Sequence, residues 1–332
     1  MRINNETLKH IINSLIPVIL AFALGAIIIL FTGNNPLYAY GVLLKKSLFT
    51  SKGFLDTLHY ASPLILTGLA IAITFKANVY NMGVEGQMLL GGFFAGLAGA
   101  NISVGNPFID KFICIIAAIL CGMAFALIPA VLMVVTLMLN YGVVKVLEFL
   151  TTGVFKDKSA GYVATPTIKD IAMFSRFGRS RITAFFIIVM IILIIMYFVM
   201  KKSKLGYEVT AIGKNPEFAE ACGMNVGKKI IIIMLLSGAL SGMAGAGWML
   251  SDQFKYTLSF SGNPGLGWDG MLIALLGSHT PVGILIASIF YAALKTGSDS
   301  INMYTSVPKE IVALIQGIMI LFLAVKFLKE KK

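Results

Sequence analysis

The chain has 332 residues, is 58% hydrophobic and only 13% charged, and carries a formal net charge of +12. Soluble domains are about 45–50% apolar and about 25% charged, so the composition excludes a soluble enzyme or binding module and indicates a polytopic membrane protein. The basic excess lies at the flanks of apolar runs, where it reports membrane orientation and no nucleic-acid partner.

A spanning helix needs about 20 apolar residues. In chain order, the runs Ile11–Phe31, Leu55–Phe75, Leu89–Ala100, Phe112–Thr152, Thr183–Met200, Ile230–Leu250, Met271–Leu276, Val282–Leu294 and Ile311–Phe327 meet or approach that length. With the longest folded back on itself, the expectation is an all-α polytopic membrane protein of about ten transmembrane helices. The first run is too long for a cleavable signal and no soluble region follows it, so it is expected to remain as the first span. A single transmembrane domain then occupies residues 1–332. No stretch matches GxxxxGK[ST], so an energy source other than an ion gradient must sit on a partner chain.

Cys114 and Cys121 lie one heptad apart in an apolar run and Cys222 lies in a short polar helix, which suggests small buried side chains and no disulfide framework. His10, His59 and His279 are scattered without carboxylate or thiol neighbours at ligand spacing, so neither a metal nor another cofactor is expected. No nucleophile and base pair stands out, and no enzymatic activity of the chain itself is expected.

Lys and Arg accumulate in short cytoplasmic loops. The densest cluster, Lys201, Lys202, Lys204, Lys214, Lys228 and Lys229, therefore assigns the loop 201–229 to the cytoplasm, and the basic ends of the chain place both termini there too. Two groups resist this pattern: Lys45, Lys46 and Lys52, and Arg176, Arg179 and Arg181, which parity puts on the outer side.

Inside that loop, NPEFAEACG specifies a short helix. Asn215 is a good N-cap, Pro216 suits the first helical position, Glu217 and Glu220 complement the positive end, and Gly223 can take the left-handed C-cap conformation. So short a helix is marginal alone, so it must pack on the protein's own underside or dock into a partner.

The segment Gly206–Gly245, GYEVTAIGKNPEFAEACGMNVGKKIIIIMLLSGALSGMAG, resembles the cytoplasmic coupling loop and following span of permeases from ATP-binding-cassette importers, in the branched-chain amino acid/ribose-type family. Thr67–Gln87 (TGLAIAITFKANVYNMGVEGQ), Thr136–Tyr141 (TLMLNY), Ile273–Gly283 (IALLGSHTPVG) and Val307–Leu323 (VPKEIVALIQGIMILFL) agree with the same family in the same order, and NMGVEGQ with TLMLNY points to its nucleoside branch. The resemblance implies that Asn215, Pro216, Glu217, Phe218, Glu220 and Gly223 form a coupling helix seated on a cytoplasmic ATPase subunit. It further implies a second permease subunit, identical or homologous, an extracytoplasmic substrate-binding protein or lipoprotein, and a location in the cell membrane. The family normally has a short polar turn before its Leu-Asn-Tyr motif, whereas Ala124–Leu139 is interrupted only by Pro129 and Thr136. A hairpin broken at Pro129 is expected there.

Gly83-Val84-Glu85-Gly86 and Gly267-Trp268-Asp269-Gly270 share one pattern, each preceded by an asparagine, Asn81 and Asn263. Entry from opposite sides would make them parts of an inverted-topology repeat, whose interface holds the ligand path. Glu85 and Asp269 are then functional candidates, or each stabilises the positive end of its own helix. Two stripes, Ser237, Ser241, Gly245 and Gly238, Gly242, Ala246, allow close helix approach, either within the chain or toward a second permease.

A nucleoside or sugar is polar and uncharged, so its path needs amides, hydroxyls and a ring to stack on. Asn78, Asn81, Gln87, Asn140, Tyr141, Trp248, Trp268 and Gln316 are placed in or beside spans, and with Glu85 and Asp269 complete the candidates. The alternatives are a permease for ribose-like sugars, an ion-coupled secondary transporter, and a scaffold subunit without transport.

Overall fold

The computed structural model describes residues 5–131, 136–258, 264–305, 307–308 and 310–330. Its helices in chain order are α1 (Asn5–Phe31), α2 (Pro36–Leu48), α3 (Ser51–Lys76), α4 (Val84–Asn101), α5 (Pro107–Val131), α6 (Thr136–Thr152), α7 (Phe185–Lys202), α8 (Lys204–Lys214), α9 (Pro216–Ala221), α10 (Val226–Trp248), α11 (Leu266–Leu276), α12 (Pro281–Tyr304) and α13 (Glu310–Glu330). A 3-10 turn, Asp170–Ala172, precedes α7, and a π turn, Met249–Gln253, extends α10. Among the described residues, β structure is confined to the isolated bridges Ala164–Thr257 and Arg176–Thr183.

The fold is all-α and the chain is a multi-pass membrane protein. Among the described residues, five helices are long and apolar enough to cross a membrane: α3, residues 107–128 of α5, α7, α10 with its π turn, and α12. Residues 16–31 of α1 and the whole of α2 make a sixth if that pair, bent by 118°, is one span. The expected count of about ten is thus met only in part. The run Met271–Leu276 belongs to α11, whose 11 residues reach only about 16 Å at 1.5 Å per residue, too short to cross alone. The long run Phe112–Thr152 does form two helices, but α5 continues past Pro129 to Val131, so the expected break at that proline is not observed.

The chain divides into two compact units, residues 61–288 and residues 1–60 with 289–332. The larger is organised on α4, α5 and α10. Helix α4 is buried almost all round, and its glycine-rich sequence lets neighbours come to backbone distance. The Gly238–Gly242 stripe of α10 lies on α5: a Cβ at Gly238 would meet the Gly122 carbonyl, and one at Gly242 the Ala118 carbonyl. Gly245 faces α4 at the Met88 carbonyl, while Ser237 turns toward Asn81. The small residues of α10 thus serve packing inside this chain.

At the far end of α10 the backbone loosens into the π turn and Phe254 takes a left-handed φ of 57°. The irregular segment before α7 captures the carbonyls this exposes: Phe174 donates to Leu250 at 2.9 Å, Ile168 to Phe254 at 2.9 Å and Thr165 to Tyr256 at 2.9 Å. Tyr256 is fully buried with its ring edge-on to Phe93 at 5.0 Å. Arg176 lies 3.9 Å from Asp252, which supplies a local partner for one of the arginines that resisted the charge rule.

In the smaller unit α1 packs on α13, with Gly25 against Ile315, and on α2, whose Tyr40 hydroxyl donates to the Phe22 carbonyl at 2.8 Å. Lys46 on α2 sits 4.1 Å over the Tyr304 ring. This cation–π contact gives one of the lysines that resisted the charge rule a place within the fold.

Candidate functional site

The polar loop after α7 folds as the sequence dictates. Ser203 caps α8 by accepting from Gly206 N–H at 3.1 Å, Asn215 caps α9 by accepting from Phe218 N–H at 2.9 Å with Pro216 at the first position, and Asn225 caps α10 by accepting from Lys228 N–H at 2.9 Å. Gly223 ends α9 with φ +80°, the left-handed closure expected of it. Three caps within 23 residues turn the chain sharply between short helices.

Only one face of α9 is satisfied internally. Ala219 is fully buried against Ile212 and Val226, with Met224 and Ile230 alongside, which anchors the helix on α8 and α10. On the other side Glu217, Phe218 and Glu220 are exposed, Phe218 by 64%. Behind α9 lies a cavity of about 410 Å³ lined by Lys204, Tyr207, Glu208, Met224, Lys228 and Lys229, among others. Glu208 forms an ion pair with Lys229 at 2.6 Å, which ties α8 to the start of α10, and lies 4.0 Å from Lys204 on its own helix.

A second constellation sits where α4 and α11 begin. Glu85 is 2% exposed, and its carboxylate accepts from Gly265 N–H at 3.1 Å and Gly267 N–H at 2.5 Å. The acid, in the first turn of α4, therefore also caps the start of α11, a geometry that a helix-by-helix reading of the sequence misses. The two echoing motifs meet: a Cβ at Gly267 would fall 2.8 Å from Glu85 Cα. Asn263, the second asparagine of the echo, lies outside the described residues.

The loop before α4 is locked by amides. Asn81 donates to Gln87 at 3.1 Å and to the Ser237 hydroxyl at 2.9 Å, and accepts from Gly83 N–H at 3.0 Å. Asn140 on α6 accepts from Gly86 N–H at 3.0 Å and donates to the Met82 carbonyl at 2.7 Å. Asn81, Gln87 and Asn140 are buried and bonded to the chain itself.

The remaining candidates disperse. Asn78 is exposed at the end of α3 and left-handed, φ 57°, bonded to the Tyr80 hydroxyl at 3.2 Å. Tyr141 is 69% exposed. Trp248 is buried at the end of α10, and Trp268 and Asp269 lie half-buried in the first turn of α11. Gln316 is buried in α13 of the smaller unit, its Nε2 without a hydrogen-bond partner among the described residues. Sequence reasoning passed over Thr67, whose hydroxyl donates to the Leu266 carbonyl at 3.1 Å, and dismissed His279, which packs on Phe75 at 5.6 Å between ring centroids. Burial draws the His279 imidazole down to about 4, and the Lys76 charge pushes the same way.

The chain is an all-helical membrane protein with a capped polar helix displayed on one loop and two helix starts meeting within the fold. The chain belongs to the family described as branched-chain amino acid transport system / permease component, which it matches over residues 53–324. It is 32% identical to the guanosine ABC transporter permease protein NupP of Bacillus subtilis (strain 168), over 96% of this chain and 94% of that one. It is 31% identical to the nucleoside ABC transporter permease protein NupB of Lactococcus lactis subsp. cremoris (strain MG1363), over 98% and 94%. It is 30% identical to the glucose ABC transporter permease protein TsgB13 of Haloferax volcanii, over 92% and 85%. The first two bacteria each hold a second, more distant match, the permease proteins NupQ and NupC. No solved structure matches the chain.

Proposed function

We propose that this chain is one of two membrane subunits of an ATP-binding-cassette importer for nucleosides. It provides the translocation path, and ATP hydrolysis takes place on cytoplasmic partner subunits. The observation that carries the reading is α9, a helix of 6 residues anchored by Ala219 and presenting Glu217, Phe218 and Glu220 outward from a lysine-rich loop. A rigid, half-anchored knob of this kind suits a groove on another subunit, and relatives named as guanosine and nucleoside permeases over nearly their whole length supply the substrate class.

In this reading the loop 201–229 is the cytoplasmic coupling loop, both termini lie in the cytoplasm, and about ten segments enter the membrane, the short ones as half-spans. Two inverted halves around the path belong to this reading. Glu85, Asn81, Gln87 and Asn140 hold that junction, while Asn78, Tyr141, Trp248, Trp268, Asp269 and Gln316 stand as candidates for contact with the passing nucleoside. An extracytoplasmic binding protein delivers the nucleoside, and the occurrence of NupP with NupQ and of NupB with NupC in the same organisms supports a second, homologous permease.

Uptake of radiolabelled guanosine and ribose into cells carrying the permease with its ATPase tests the proposal, with Glu217→Arg as the variant. Strong guanosine uptake, abolished by the reversal while the protein still reaches the membrane, is the expected result. Uptake that survives both the reversal and loss of the ATPase would instead favour an ion-coupled secondary transporter. A preference for ribose would favour the simple-sugar reading, which the glucose relative keeps in view.

A further inference from the structure

Movement of α9 can change a path inside the fold only if packed elements carry it there. Helix α11 is placed to do so. It runs beside the last turns of α3: Thr67 bonds Leu266, a Cβ at Gly270 would fall 2.5 Å from Thr67 Oγ1, Gly68 lies against Ile273, and the Phe75 ring lies against His279. Its start is held by Glu85. Its end closes with Ser278 N–H on the Leu275 carbonyl at 3.1 Å and His279 N–H on the Ala274 carbonyl at 2.9 Å.

That closure is strained. Ser278 and His279 have φ of 48° and 54°, two consecutive non-glycine residues in the left-handed region. Such residues persist only where the surroundings enforce them, and they concentrate at functional and switching segments. The enforcing contact is the His279 ring on Phe75, which also packs on the Tyr80 ring at 5.0 Å. His279 Nδ1 is buried without a hydrogen-bond partner among the described residues, so the ring is held by packing. Helix α8 rests on the same end of α3: a Cβ at Gly213 would run into the Lys76 carbonyl, and α8 leads directly into α9 through Asn215.

We propose that the Ser278–His279 turn is a second coupling element, in which His279 is a positioning residue that ties α11 to the end of α3, so that displacement of α8 and α9 is delivered to the helix start at Glu85. The inference rests on the importer reading given above.

The test uses the complete transporter in proteoliposomes, with radiolabelled guanosine as the probe, or ribose if the sugar reading holds. The double variant Ser278→Gly, His279→Gly releases the strain, since glycine takes positive φ freely, and Phe75→Leu removes the ring partner without changing the sequence of the turn itself. Both variants are expected to lower the substrate moved per ATP hydrolysed by about five-fold or more, with ATP hydrolysis retained. The strain released offsets much of the packing lost with the His279 ring, so the melting temperature of the double variant should change little. A ratio at the wild-type level in both variants overturns the inference, as does a joint fall of uptake, hydrolysis and melting temperature, which a merely structural turn would give. A wild-type complex that moves neither substrate with ATP fells the importer reading and this inference together, whereas normal wild-type transport with unchanged variants fells the inference alone.

Discussion

Glu85 caps a helix whose N-cap residue, Gly265, lies 180 residues later, its carboxylate bonded to Gly265 and Gly267 at the start of α11. A buried carboxylate is tolerated here because two amide donors and the positive end of α11 converge on it. Removing the acid orphans both donors, at about 1–3 kcal/mol each. Glu85→Ala should lower the melting temperature of the detergent-solubilised protein by several degrees, and Glu85→Gln, which keeps one acceptor oxygen, by less. Melting of both variants at the wild-type temperature would mean that the cap contributes nothing.

Asn140 makes the same kind of argument from the other side of the junction. Its amide bonds Gly86 N–H and the Met82 carbonyl, so Asn140→Leu strands one donor and one acceptor while nearly preserving volume. The expected outcome is a loss of about 2–4 kcal/mol of stability together with impaired uptake, measured as thermal unfolding beside transport. A stable variant with altered substrate preference would move Asn140 from the scaffold to the ligand path.

For α9 the anchor and the knob can be separated. Asn215→Ala removes the cap and should cost about 1 kcal/mol of local helix stability, whereas Phe218→Ala touches only an exposed ring. If the knob seats on an ATPase, Phe218→Ala should leave the melting temperature of the isolated permease unchanged and still sharply reduce co-purification of the ATPase. Undiminished co-purification would remove Phe218 from the interface.

Much of this was legible in the sequence because the signals were local. The cap residues Asn215 and Pro216 and the closing Gly223 act within one turn, and the structure returns them as read. The membrane class follows from composition, and the family from ordered motifs. What the sequence hid was distal pairing. The sequence leaves Glu85 either as a path residue or as a cap for its own helix, since nothing local reveals a donor pair about 180 residues away. His279 has no carboxylate or thiol neighbour at ligand spacing in the sequence, and its contact with the distant Phe75 ring is visible only in the fold. The break expected at Pro129 comes later, since α5 continues to Val131, and residues 132–135 lie outside the described residues.

His279 also predicts a pH dependence. An unfolded histidine titrates near 6.5, whereas the folded imidazole is drawn down to about 4 by burial, with the Lys76 ammonium adding to the effect. Below about pH 6.5 the unfolded state takes up a proton that the folded state refuses, so stability falls as pH drops toward 4 and this contribution is constant below that. His279→Asn keeps a residue that tolerates the left-handed backbone but removes the titration. Melting temperatures measured from pH 7.5 down to 4.5 should therefore fall more steeply for the wild type than for the variant, and the curves should converge toward the acid end. Parallel curves would show that the His279 ring is solvated and free to protonate, which would also weaken its proposed hold on Phe75.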